Sequence, residues 1–69
     1  MMHKYELLVG NTSITIDGID PKSAIIATNI FGRGVIFLEK VRTKEGTDAW
    51  IVQIEVQGLL TVAYIKCLD

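Results

Sequence analysis

Alternating apolar and polar residues run through most of the chain and predict five β-strands and one helix. We predict strands at residues 3–9, 12–17, 35–43, 49–57 and 59–68, and a helix at residues 21–31. Turn residues separate these segments, and no linker, low-complexity stretch or internal repeat interrupts them. The order ββαβββ predicts a single small α+β domain over residues 1–69, with an antiparallel sheet or sheets and one short helix packed on one face.

The first two strands are predicted to form a hairpin with a well-specified register. Gly10 and Asn11 lie between them, and Gly at the first of two loop positions favours a type II′ turn. A two-residue loop pairs Tyr5 with Ile16 and keeps apolar residues together on one face. A slip of one residue would mix apolar and polar side chains on both faces, so the pattern favours this register.

The helix has recognisable start and stop signals. Asp20 is a good N-cap and Pro21 a good first helical residue, while Gly32 fits the position just after the last turn. Helical periodicity turns a broad apolar stripe towards the sheet and leaves Ile25 on the polar side as an exception. The stripe comprises Ala24, Ile26, Ala27, Ile30 and Phe31.

The last three strands are predicted to form a meander with two-residue turns at residues 45–46 and 57–58. The first turn pairs Phe37 with Ile54 on the face that the helix covers. It also puts Glu39 on that face, where a buried carboxylate would need a partner. Glu39 is the best candidate for a functional acid if it is buried; the alternative is that it reaches past the helix end or is turned outward by a bulge.

The other face of the meander keeps many apolar side chains, although one short helix covers only one face of a sheet. A helix of about eleven residues is roughly 16 Å long. A sheet with one wet face should alternate cleanly between apolar and polar residues, and this face alternates only in part. Contiguous apolar patches larger than a few hundred Å² usually mark binding sites. The large apolar residues predicted here are Ile36, Leu38, Ile51, Leu60, Val62 and Tyr64.

We therefore predict that this second face binds protein. The partner is either a second copy of the chain in a homo-oligomer or a larger protein on which the chain docks as an inhibitor or adaptor. Tyr64 ranks first among the binding residues, because Tyr is enriched at interfaces. The alternative is that strand curvature or the first hairpin covers the face inside one monomer, and the sequence leaves open whether that hairpin joins the same sheet.

Composition narrows the remaining classes of function. The net charge is −1, whereas nucleic-acid-binding domains usually carry a basic excess, so the composition argues against a nucleic-acid partner. Apolar runs such as residues 35–38 are far too short to span a membrane, and we find no signal peptide. The single cysteine forbids an intrachain disulfide and is typical of a reducing compartment. We expect a cytoplasmic location, in the host cytoplasm if a phage encodes the chain.

Candidate chemistry is sparse, and we expect no catalysis, no cofactor and no metal. His3 and Cys67 belong to no nucleophile–base pair and to no set with metal-ligand spacing. One alternative is an oligomer that encloses a small aromatic ligand, which only Trp50 and Tyr64 support. The other is weak anion or nucleic-acid binding by a basic stripe. That stripe comprises Arg33, Lys40, Arg42 and Lys44.

Overall fold

A computed structural model describes residues 1–32 and 34–69 of the chain. That part contains strands β1 (His3–Val9), β2 (Thr12–Gly18), β3 (Val35–Arg42), β4 (Asp48–Val56) and β5 (Leu59–Cys67), and helix α1 (Pro21–Thr28) between β2 and β3. All five strands form one antiparallel sheet in the order β2-β1-β5-β4-β3. The predicted α+β fold and the order ββαβββ are confirmed. The first hairpin joins the same sheet, because β1 pairs with β5.

The registers of the β1–β2 and β4–β5 hairpins are as predicted. Tyr5 pairs with Ile16, and Gly10 has the positive φ of 59° that the first position of a type II′ turn needs. Gln57 and Gly58 form the second turn, with φ of 53° and 79°. Both residues of this turn are left-handed, which is the conformation of a type I′ hairpin. Turn chemistry and apolar pairing therefore agree in these two hairpins.

The β3–β4 hairpin differs from the prediction by one residue, because strand pairing ends at Arg42 and Asp48 and leaves a loop of five residues instead of a two-residue turn. Within this loop Gly46 has a φ of 78°. Gly46 N donates to Thr43 O at 3.2 Å, and Thr47 N donates to Thr43 Oγ1 at 2.9 Å. A type I′ turn at residues 45–46 would have required a positive φ at Glu45 as well. The longer loop confines the positive φ to Gly46.

This shift exchanges the two faces of β3. Ile36 and Leu38 pair with buried residues of β4 and pack against the core, so their predicted position on the uncovered face is wrong. Glu39 pairs with Ile51 and is exposed, so its predicted position on the helix-covered face is wrong too. Because side chains alternate between faces along a strand, a slip of one residue is enough to cause both errors.

Helix α1 starts as predicted and ends earlier. Asp20 is the N-cap, and its Oδ1 accepts a hydrogen bond of 2.7 Å from the backbone N–H of Ser23. Asn29 ends the helix with a left-handed φ of 55°, and its N–H donates to the carbonyl of Ile26. The predicted stop at Gly32 is therefore wrong. Asn is the residue after Gly that most readily adopts this C-terminal conformation.

The helix also turns a different side towards the sheet than predicted. Ile25 is 1% exposed, whereas Ile26 is 55% exposed. Of the predicted stripe, Ala24 and Phe31 contact the core and the other three residues are exposed. A Cβ atom at Gly18 would lie 2.6 Å from the Cβ of Ala24, so a glycine at this position lets the helix come close to β2.

The core lies between α1 and one face of the sheet, which we call the covered face. Ala24 and Ile25 of the helix pack on it, and Tyr5 and Trp50 meet edge to face with ring centroids 6.2 Å apart. Burial of these apolar side chains is the main source of stability in so small a domain. The buried residues of the covered face are Tyr5, Leu7, Ile16, Val52, Ile54, Ala63 and Ile65.

Candidate interaction surface

The second face of the sheet, which we call the open face, is not covered by any helix or loop of residues 1–32 and 34–69. Side chains alternate between the two faces along each strand, so every second residue of the sheet points to the open face. Four strands contribute apolar side chains to it. These residues are Leu8, Phe37, Val41, Ala49, Ile51, Leu60, Val62 and Tyr64.

Strand pairing makes these side chains contiguous. Leu8 pairs with Tyr64, and Tyr64 pairs with Ile51, which gives an apolar row across β1, β5 and β4. In the next row Val62 and Phe37 flank a single glutamine of β4. Directly paired side chains on one face lie about 5 Å apart, so the two rows form one patch and not a set of isolated residues.

Much of this patch is in contact with water. Phe37 is 61% exposed, Leu60 65% and Val62 56%, while the three residues of the Leu8–Tyr64–Ile51 row are half-buried. A hollow of about 240 Å³ lies at the β3–β4 side of the sheet, lined by Phe37 and Ile51 among others. The patch is therefore apolar at its centre, with the exposed carboxylates of Glu39 and Glu55 beside it on the β3–β4 side and a depression that Glu39 also lines.

The charged residues of the open face at its β1–β2 side are paired with each other. Lys4 Nζ lies 3.6 Å from Asp17 Oδ1, as the predicted register requires, and Lys66 Nζ lies 3.6 Å from Glu6 Oε1. Ser13 Oγ also donates to Glu6 Oε2 at 2.9 Å. Such exposed pairs contribute little to stability, but they leave this side of the open face with almost no net charge.

The structure divides the six predicted binding residues into two groups. Sequence reasoning missed Phe37, which the preference for confining a positive φ to Gly46 could have revealed. It also missed Leu8, because only the pairing of β1 with β5 brings that residue to the surface. Ile51, Leu60, Val62 and Tyr64 lie on the open face, whereas Ile36 and Leu38 lie on the covered face.

The basic residues of β3 lie on the face opposite to the one predicted. Lys40 and Arg42 follow Leu38 in the alternation, and together with Lys44 they line a hollow of about 430 Å³ at the end of the hairpin. Lys40 Nζ lies 3.2 Å from Asp48 Oδ1, and Arg42 pairs with Asp48 across the strands. This carboxylate offsets part of the positive charge. Arg33 lies outside the described residues.

Two titratable residues from opposite ends of the chain meet at Asp69. His3 Nδ1 lies 3.4 Å from Asp69 Oδ1, and the Cys67 thiol donates to the same oxygen at 3.4 Å. The partner of the thiol is thus a carboxylate and not a base that would activate it. Burial raises the pKa of the Cys67 thiol. Among the described residues, no group of three or more His, Cys, Asp or Glu side chains could hold a metal ion.

The two aromatic residues that suggested a ligand site lie on opposite faces. Trp50 belongs to the covered face and packs edge to face against Tyr5. Tyr64 belongs to the open face and pairs there with Ile51. A ligand held between the open faces of two copies would therefore contact Tyr64 without Trp50.

Comparison with known proteins gives no guide to function. No family model, no curated protein and no solved structure matches the chain. No helix within the described ranges is long and apolar enough to cross a membrane. Any assignment of function therefore depends on the geometry of the open face.

Proposed function

We propose that the chain is a protein–protein interaction module that acts by binding through its open face and not by catalysis. The observation that carries this proposal is the contiguous apolar patch across four strands, with Phe37, Leu60 and Val62 each more than half exposed. Soluble monomers rarely leave large contiguous apolar patches in water, and those that do usually bind a partner there.

The arrangement of the open face resembles the anatomy of known interfaces. Interfaces usually have an apolar centre rich in aromatic residues, surrounded by a polar rim. Here Tyr64 lies on β5, the middle strand of the sheet, and the ion pairs of Lys4 and Lys66 lie towards one side. The hollow beside Phe37 offers a site for an anchoring side chain of the partner, and such anchors dominate binding energies.

The chain does not cover this face with its own first hairpin. The sequence allowed the hairpin to fold across the meander, but β1 lies beside β5 and extends the sheet sideways. The predicted alternative of closure by the hairpin is therefore wrong. Helix α1 packs on the other face, so the cover that we propose for the open face is a partner protein.

Site-specific photo-crosslinking tests the proposal. A photoreactive phenylalanine analogue is placed at Val62 on the open face or at Ile26 on the outer side of α1. The two side chains are 56% and 55% exposed, so they are matched in access to solvent. On irradiation, in producing cells and in concentrated purified protein, we expect covalent protein adducts from position 62 and few from position 26.

The comparison of the two positions decides the result. Equal yields at positions 62 and 26 would mean non-specific contact of exposed apolar groups. Absence of adducts at position 62 in cells and in concentrated protein would contradict the proposal. Circular dichroism of both variants confirms that the fold is retained before irradiation.

A further inference from the structure

We infer that the partner on the open face is a second copy of this chain, packed open face to open face. This inference rests on the proposed function, because it names the occupant of the same surface. Two observations support a second copy: the surface area of the chain and the size of its sheet.

The chain exposes more surface than a monomer of its mass should. Its accessible surface is 4921 Å² and its mass is 7.7 kDa. Monomeric proteins of this mass expose about 4,300 Å², so the excess is roughly 600 Å². If each of two copies buried this excess, the interface would total about 1,200 Å², which is the lower end of the range for stable, specific complexes.

The dimensions of the sheet give a similar area. Its five strands have seven to nine residues each. With strands about 4.8 Å apart and a rise of about 3.4 Å per residue, one face measures roughly 24 by 27 Å, or about 650 Å². An identical sheet is therefore a partner of matching size, and sheets commonly pack face to face at about 10 Å.

The charges of the open face are balanced on its β1–β2 side, whereas Glu39 and Glu55 lie exposed on its β3–β4 side. The ion pairs Lys4–Asp17 and Glu6–Lys66 neutralise each other within one copy. The chain as a whole has a net charge of only −1, so two copies repel each other weakly.

A face-to-face dimer has a definite architecture. The two sheets form the inner layers, and the two α1 helices lie outside on the covered faces. In a two-fold dimer the same patch serves both copies, so a residue near the axis faces its own counterpart. Because β5 is the middle strand of five, Val62 and Tyr64 are the residues expected nearest to the axis.

Sedimentation equilibrium over a dilution series tests this inference with three proteins. Wild type is expected to sediment at twice the monomer mass of 7.7 kDa at high concentration and to dissociate on dilution. Val62→Lys places a charge at the centre of the interface in both copies. It should raise the dissociation constant at least about 30-fold, the loss typical of an interface hot spot. Ile26→Lys, matched in exposure but on the helix, should leave it unchanged.

The possible outcomes distinguish a failure of the dimer from a failure of the proposed interaction module. A wild type that remains monomeric at all concentrations overturns the second copy as partner. If Val62 still crosslinks to a protein of another mass, the interaction module stands with a different occupant. If Val62→Lys and Ile26→Lys weaken association equally, the dimer does not use the open face and the inference is overturned. Tyr64→Lys provides a second variant should Val62→Lys fail to fold.

Discussion

The covered face and the open face of this sheet contain similar residues in very different surroundings. Val52 and Val62 lie on neighbouring strands, yet Val52 is 0% exposed and Val62 is 56% exposed. Both faces have apolar residues at most of their central positions. The difference is that α1 packs on one face and leaves the other in water. Residue type alone therefore does not determine which face becomes the core and which becomes a binding surface.

Within α1 the same contrast appears between two adjacent residues. Ile25 faces the sheet and is buried, while Ile26 is more than half exposed. The helix is eight residues long and contacts the core mainly through Ala24 and Ile25. Because α1 is held on the sheet by few contacts, substitutions in this helix should show the largest difference in stability between a buried and an exposed position.

The largest expected difference in the free energy of unfolding is between Ile25→Ala and Ile26→Ala. Ile25→Ala leaves a cavity under the helix and should lower the free energy of unfolding by about 2–5 kcal/mol. Ile26→Ala removes a side chain in contact with water and should change it by no more than about 0.5 kcal/mol. Urea denaturation at one fixed protein concentration measures both. Ile25→Val gives a graded intermediate should the alanine variant not fold, and equal losses at the two positions would reverse the assigned orientation of α1.

A second substitution tests how closely helix α1 packs against β2 at Gly18. In Gly18→Ala the new Cβ would lie 2.6–2.7 Å from three atoms of Ala24, two of them backbone atoms that cannot rotate away. We expect an overpacking cost of about 1–3 kcal/mol as the helix shifts outward. Thr15→Ala, at an exposed position of the same strand, should stay within about 0.5 kcal/mol of wild type. Equal stability of the two variants would show that the helix adjusts to the added methyl group at no cost.

Val52 on the covered face and Val62 on the open face allow the two environments to be compared with the same substitution. Val52→Thr keeps the shape of the side chain but buries a hydroxyl among apolar residues, which should cost about 1–3 kcal/mol. Val62→Thr puts the same hydroxyl in water and should cost less than about 0.5 kcal/mol in dilute protein. Thermal unfolding of both variants at low concentration compares them. A large loss for Val62→Thr under these conditions would mean that the open face is already covered within the monomer.

Local sequence patterns were sufficient to predict the hairpins whose turns and apolar pairs agree. The β1–β2 register follows from Gly10 in its turn and from the pairing of Tyr5 with Ile16, and both features belong to adjacent segments. The N-cap at Asp20 is equally local, since it requires only a short polar side chain before the first turn. These parts of the fold could be read without any knowledge of distant contacts.

The β3–β4 register could not be read in this way, because both faces of β3 are apolar. Ile36 and Leu38 occupy one face, while Phe37 and Val41 occupy the other, so a slip of one residue barely changes the apolar pattern. The loop alone distinguishes the registers, through the preference for confining a positive φ to Gly46. The same ambiguity affected α1, where consecutive isoleucines suit either side of a short helix.

The sequence predicted part of the open face, and the position of Leu8 was missed because it depends on a contact between distant segments of the chain. Ile51, Leu60, Val62 and Tyr64 follow from the correctly paired β4–β5 hairpin. The place of Leu8 depends on the strand order, which brings β1 beside β5 across almost the whole chain length. No pattern within a single segment encodes that neighbour, so a candidate surface spanning several strands is visible only once the sheet is assembled.

The smallest expected effect on stability concerns Asp20, the N-cap of helix α1. The backbone N–H of Ser23 donates to the carboxylate of Asp20 and lowers the pKa of that group. A lowered pKa in the folded state means that the charge contributes stability above the ordinary pKa of 3.8, and that this contribution is lost as the pH falls through the folded-state value. Asp20→Asn still caps the helix but cannot titrate.

Urea denaturation of wild type and Asp20→Asn across the acidic range isolates this charge, because the titration of all other carboxylates is common to both proteins. The stability advantage of wild type should be constant near neutral pH and should shrink below pH 3.8. The effect should be smaller than that of Ile25→Ala, because Asp20 is exposed and removes no contact from the covered face. A difference that does not change with pH would mean that the cap acts through geometry alone, and that the helix is held on the covered face by Ala24 and Ile25 without help from the charge.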